Sequence, residues 1–152
     1  MEPVNHRRHE GRFRWDAVEL LEYKPAADHG GDTFREVTRQ VLLEHGGLAC
    51  QLRYFEVGAG GHSTLERHQH VHGVLVLNGS GRVLVGHEVL DLQLHDLITI
   101  PPLTWHQFRA HEQAPLGFLC LVNIERDRPM LPSADELAQL QANPELAAFI
   151  RV

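Results

Sequence analysis

The chain has 152 residues, 43% hydrophobic and 22% charged, with a formal net charge of −6 at neutral pH. That is enough for one domain with a buried core and too little for two ordinary ones. The acidic balance argues against nucleic acid or an anionic membrane surface as a partner, and no run approaches the ~18 apolar residues that span a bilayer.

Residues 1–15 are polar and basic and lack an apolar signal core, and the stretch 1–32 runs to a break at Gly30-Gly31. That stretch reads as a loosely organised N-terminal extension, and a cytoplasmic location follows. From Phe34 onward, short runs of Val, Leu, Ile, Phe and Tyr are punctuated by Gly and Pro. Strands are expected over 33–43, 48–57, 68–77, 81–85, 88–92, 96–100, 105–109 and 117–124. Several alternate at period two, as in Arg82-Val83-Leu84-Val85, and Asn78-Gly79-Ser80-Gly81 and Gly86-His87 supply turns. Short strands at close spacing with little helix between them predict an all-β antiparallel sandwich or barrel over 33–132. The last segment, 133–152, is expected to be a helical tail packed on it. Ser133 and Glu136 form a capping-box pattern ahead of Leu137 and Leu140, and Pro144 opens a second helix through Phe149 and Ile150. The two cysteines, Cys50 and Cys120, have no disulfide or metal-pair spacing and are expected to be free thiols, Cys50 as core.

Histidine is the unusual feature: there are 12, grouped at 62, 68, 70 and 72 and again at 87, 95, 106 and 111. In an extended strand Glu66, His68, His70 and His72 project to one side, and Arg67, Gln69 and Val71 to the other. Residues two apart lie about 7 Å from each other along a strand, so the outermost pair would be roughly 20 Å apart. Either the chain bends near His70 or only two or three of the four reach one ion, and a further ligand comes from elsewhere. His106, which follows the Pro101-Pro102 turn, is the candidate. His6, His9, His87, His95 and His111 are assigned to solvent or loops. Imidazole and carboxylate together suit Mn, Fe, Ni or Zn.

These two segments resemble the two motifs of the cupin superfamily. Gly60 and Gly79 frame the first, with Glu66, His68 and His72 at its ligand positions; Pro101 and His106 mark the second. Glu66 stands where His is usual and His72 where Glu is usual, and His70 could replace Glu66. His95 and Leu103 stand where the second motif prefers Gly, and Ala110 where it prefers Asn. The resemblance implies a double-stranded β-helix (jelly-roll) barrel, one divalent transition metal and a homodimer with residues 33–57 as interface strands.

Other groups have two readings. Arg39, Arg53 and Tyr54 are either the solvated outer face of their strands or a clamp for a phosphate or carboxylate. Cys120 is either a small core thiol or a nucleophile. Trp105 and Phe108 read as pocket wall or core, and the run from Arg126 to Pro129 as a salt-bridged turn. The runs Arg53 to Glu56, Leu65 to His72, Pro102 to Phe108, Gly117 to Cys120 and Arg126 to Pro129 look similar to a bacterial subgroup of small cupins that includes methylsulfurylases of methionine salvage. That likeness implies a Mn-type metal and a phosphorylated ketose whose methylthio group is removed through a metal-stabilised enediolate. On it, Glu66 or His70 moves the proton, Cys120 attacks the sulfur and is regenerated by a low-molecular-weight thiol, and Arg39 or Arg53 holds the phosphate. Two other functions compete: a metal-dependent dioxygenase of a small organic substrate, which needs no cysteine, and a non-catalytic binding or sensing module.

Overall fold

A computed structural model of the chain describes residues 4–24 and 33–152. Its main strands are β4 (Arg35–Glu44), β5 (Cys50–His62), β6 (His72–Gly79), β7 (Gly81–Val85), β8 (Glu88–Leu92), β9 (Leu97–Ile100), β10 (His106–Ala110) and β11 (Leu116–Asn123). They form one antiparallel nine-stranded sheet in the order β8-β7-β10-β5-β11-β6-β9, with β4 also paired to β5 and a short β3 (Leu21–Glu22) paired to β4. The sheet curls into a half-barrel, the all-β architecture expected from the strand spacing. Alternate side chains fill its interior, among them Phe55, Val57, Val76, Val83, Phe108 and Phe118. Each such side chain contributes on the order of 1.5–3 kcal/mol by leaving water.

Two strands differ from expectation in ways that shape the site. β5 runs five residues past Val57 to His62, through Gly58-Ala59-Gly60-Gly61. A side chain at position 61 would put Cβ 2.5 Å from the Arg35 carbonyl oxygen, so only a glycine lets β4 and β5 stay this close. β6 begins at His72 rather than at residue 68. Ahead of it, Glu66 bridges to His106 and Arg67 to Met130, and the chain bends at 69–70. The motif glycines Gly60 and Gly79 have left-handed backbones, with φ of 70° and 64°.

The N-terminal segment is better ordered than its composition suggests. β1 (His9–Gly11) and β2 (Arg14–Trp15) pair, and Leu21 pairs with Arg39. Aromatic contacts hold it down: the Phe13 ring stacks on Tyr54 at 5.2 Å between centroids. The Gly30-Gly31 break lies outside the described residues.

At the other end α1 (Ala134–Gln141) starts on the expected capping box. The Ser133 side chain accepts from the Glu136 N–H, and the Glu136 carboxylate accepts from the Ser133 N–H at 2.9 Å. α2 (Pro144–Phe149) follows. Leu140, Leu146, Phe149 and Ile150 pack against Leu65, Leu84 and Trp105 in a second cluster outside the sheet. Gln107 of β10 is fully buried; its amide donates to the Arg151 carbonyl at 2.7 Å and accepts from the Arg151 N–H at 2.9 Å. No helix among the described residues is long and apolar enough to cross a membrane.

Candidate metal centre

Strand ends and one bend bring three imidazoles together. His72 opens β6, His106 opens β10, and His68 lies on the segment before the bend. That segment is pinned from several sides. Glu66 and His106 exchange backbone hydrogen bonds of 3.2 and 3.0 Å, the Leu103 N–H donates to the His68 carbonyl at 2.7 Å, and the Gln69 N–H donates to the Asp127 carboxylate at 2.8 Å. One ligand atom from each of His68, His72 and His106 lies within 4.8 Å of the others, and all three residues are buried.

The nitrogens are sorted by their neighbours. His106 Nδ1 is 2.9 Å from the Thr104 carbonyl oxygen and His68 Nδ1 3.0 Å from that of His70. Each Nδ1 therefore donates, which leaves the Nε2 lone pair for a ligand. His68 Nε2 and His72 Nε2 are buried without a hydrogen-bond partner, an expense that a cation at the cluster would remove. Burial is also the main cause that lowers the proton affinity of all three rings, and it brings His68 to about 4. They are neutral at neutral pH, the form that binds metal. These residues fit a divalent transition ion.

Glu66 and His70 face the same cavity outside this trio. The Glu66 carboxylate forms an ion pair with Lys24 and accepts from the Tyr23 hydroxyl at 3.3 Å. His70 stacks on His68 at 3.7 Å between centroids, and its Nδ1 lies 2.9 Å from Asp127 Oδ1. The bend expected near His70 is where the chain turns. The single-strand picture of 66–72 does not hold, because no ladder holds residues 68–71 extended.

The cavity has a volume of about 490 Å³. His68, His70, His72 and Glu66 form one part of its lining, and Arg39, Arg53 and Arg126 another. Of the other candidate site residues, Tyr54, His106 and Cys120 are not among those that line the cavity. Arg53 and Phe55 point inward, so Tyr54 between them points out. It lies beneath Phe13 and Trp15, with its hydroxyl on the Glu56 carboxylate at 2.9 Å. Burial and that carboxylate push its proton affinity up.

Cys120 of β11 pairs with Val74 of β6 and Arg53 of β5 and is 1% exposed. Its Sγ lies 3.4 Å from His72 Nδ1 and 3.7 Å from Arg53 Nη2. Burial pushes the thiol up, and the Arg53 charge opposes this. Both cysteines are free; Cys50, expected in the core, is only partly buried because it is the first residue of β5. Phe108 is core, stacked on Phe118 at 4.3 Å, while Trp105 packs outside the sheet under the Arg67 guanidinium at 4.4 Å. His6, His9, His87, His95 and His111 are all exposed. His95 and Leu103, at positions where the motif prefers glycine, have left-handed backbones with φ of 74° and 57°.

Among the lining residues that sequence reasoning missed are two pairs, Tyr23 with Lys24 and Arg126 with Asp127. The first two lie in the stretch read as an extension. The other two lie in the presumed turn, where only the alternation of charges gave a signal.

The family model described as Cupin domain matches residues 53–122. The chain is 54% identical over 141 residues to the 1-methylthio-D-xylulose 5-phosphate methylsulfurylase of Rhodospirillum rubrum, covering 93% of this chain and 88% of that one. It is similar to the crystal structure of a cupin 2 conserved barrel domain protein from Rhodopseudomonas palustris, with a TM-score of 0.90, 49% identity and coverage of 97% and 100%. A cupin-2 domain protein from Rhodospirillum rubrum is similar with a TM-score of 0.84, 53% identity and 95% of each chain covered.

Proposed function

The chain belongs to the cupin family, and from that premise we propose that it is a metal-dependent enzyme that removes the methylthio group from a small phosphorylated ketose. The observation that carries this is the contact of Cys120 Sγ with His72 Nδ1 at 3.4 Å, which sets a thiol directly behind the three-imidazole cluster. The methylsulfurylase named above supports the choice of substrate.

His68, His72 and His106 would hold one divalent transition ion, manganese being the first expectation and Fe, Ni or Zn the others. Bound there, such an ion supplies Lewis-acid polarisation of the ketone and hydroxyl oxygens. Everything else falls to side chains. Arg39 and Arg53 hold the phosphate. Glu66 or His70, both on the cavity wall, supplies the proton that quenches the enolate left when the carbon–sulfur bond breaks. The Cys120 thiolate attacks the methylthio sulfur. A sulfur–sulfur bond forms, the carbon–sulfur bond breaks, and its electron pair stays on the sugar carbon. That carbon takes the proton from Glu66 or His70 to give the 1-deoxyketose phosphate. A low-molecular-weight thiol then attacks the methyl disulfide on Cys120, leaves with the methylthio group as a mixed disulfide and restores the thiol. Unpaired Cys50 and Cys120 suit the reducing cytoplasm in which we place the reaction. We extend the proposal to a homodimer with residues 33–57 as interface strands.

The test incubates metal-loaded protein with 1-methylthioxylulose 5-phosphate and a thiol and follows the product by NMR. The expected product is 1-deoxyxylulose 5-phosphate, absent with Cys120→Ser. Full turnover by that variant would overturn the thiol route.

A further inference from the structure

One part of the cavity lining is guanidinium. Besides Arg128, three arginines line the cavity: Arg39 from β4, Arg53 from β5 and Arg126 from just beyond β11. None of the three forms an ion pair among the described residues. Arg53 is only 8% exposed, and its Nε is buried without a partner, as is that of Arg39. What Arg53 does touch is neutral or weakly polar: Cys120 Sγ at 3.7 Å and the Phe55 ring at 4.9 Å.

The nearby carboxylates are already engaged. Glu66 pairs with Lys24, Asp127 takes His70 and the Gln69 N–H, and Glu44 accepts from Gln51. A buried guanidinium without a counter-charge costs stability, and gathering like charges adds to the cost. Burial and the charge of neighbouring arginines hold both Arg39 and Arg126 below the usual arginine range. Such a wall makes physical sense when the missing negative charge arrives with a ligand. Arg126 is placed to meet it: its Nη1 donates to the Asn123 carbonyl at 2.7 Å, which fixes the fork at the exposed mouth of the cavity.

We infer that Arg126 completes a three-arginine subsite for a phosphate monoester dianion, with buried Arg53 as its floor, Arg39 beside it and Arg126 closing it from the mouth. Planar forks from three directions suit a tetrahedral oxyanion better than a flat carboxylate. The inference rests on the reading above that the substrate is phosphorylated. It also orients that substrate. Arg53 touches Cys120 and Cys120 touches His72, so a phosphate on Arg53 sits one side chain away from the thiol and two from the metal ligand.

The experiment titrates inorganic phosphate into metal-loaded protein by calorimetry at low ionic strength, with metal content measured in every sample. Wild type is compared with Arg126→Met and Arg126→Lys. Phosphate is expected to bind wild type about tenfold more tightly than the methionine variant. Lysine should recover only part of the loss, because it lacks the fork, and metal content should not change. Equal phosphate affinity in wild type and Arg126→Met overturns the subsite, as does a wild type that binds no phosphate. Turnover separates the two claims. A wild type that binds phosphate through Arg126 but leaves the methylthio ketose intact sinks the proposed reaction and keeps the subsite. A wild type that turns the ketose over, with KM unchanged in Arg126→Met, sinks the subsite and keeps the reaction.

Discussion

Replacing His95 and Leu103 by glycine is expected to stabilise this protein. Both residues have left-handed backbones, φ 74° and 57°, a conformation that costs an L-residue roughly 1–2 kcal/mol. Glycine removes that cost but gives back about 0.5–1 kcal/mol of extra freedom in the unfolded chain. The net gain is about 0.5–1 kcal/mol per site. Little packing is lost, since His95 is exposed and Leu103 is 52% exposed. If the two sites add, the double variant gains about 1–2 kcal/mol, which for a chain of this size raises Tm by about 2–8 °C. Urea denaturation of the apo protein, with the m-value checked, gives the free energies. Alanine at each site is the control, because it shortens the side chain and keeps the strain. Glycine variants no more stable than their alanine counterparts would refute the reasoning. At Leu103 a second readout is available. Its N–H holds the His68 carbonyl at 2.7 Å, so metal affinity reports whether the turn keeps its shape.

Other outcomes follow from the same geometry. Loading with metal at about a hundredfold excess over Kd should add about 2.7 kcal/mol of stability; elemental analysis should find one ion per chain, lost in His106→Ala. The apo protein should weaken as pH falls from about 6.5 toward 4. An unfolded imidazole takes its proton near 6.5, whereas folded His68 resists protonation until about 4. Acid therefore favours the unfolded chain, and above that window the effect vanishes; a flat chemical-denaturation midpoint across it would contradict this. Tyr54→Phe should cost about 1 kcal/mol through the lost bond to Glu56 and leave KM unchanged, since the hydroxyl is on the outer face. Ser133→Ala should cost about 1 kcal/mol by undoing the α1 cap, visible as a lower Tm.

How much of this was readable in advance depended on range. Strands were legible because alternation is local, and α1 because a capping box spans four residues. The three-imidazole cluster was legible because the resemblance to the two cupin motifs tied His68 and His72 to a distant His106. Period two also separates two of the candidates. Arg53 and Tyr54 are neighbours on one strand and cannot both face the cavity. Tyr23 and Lys24 reach Glu66 across more than forty positions, and no local pattern encodes such a contact. Asp127 looked like turn chemistry, yet it fixes Gln69 and His70 from 58 and 57 residues away.

The clasp between Gln107 and Arg151 has a genetic consequence. Arg151→Pro would take the N–H partner from a fully buried amide, one residue from His106. Damage at Arg151 would thus be felt as a misplaced imidazole, and metal content would record it before any change in overall shape.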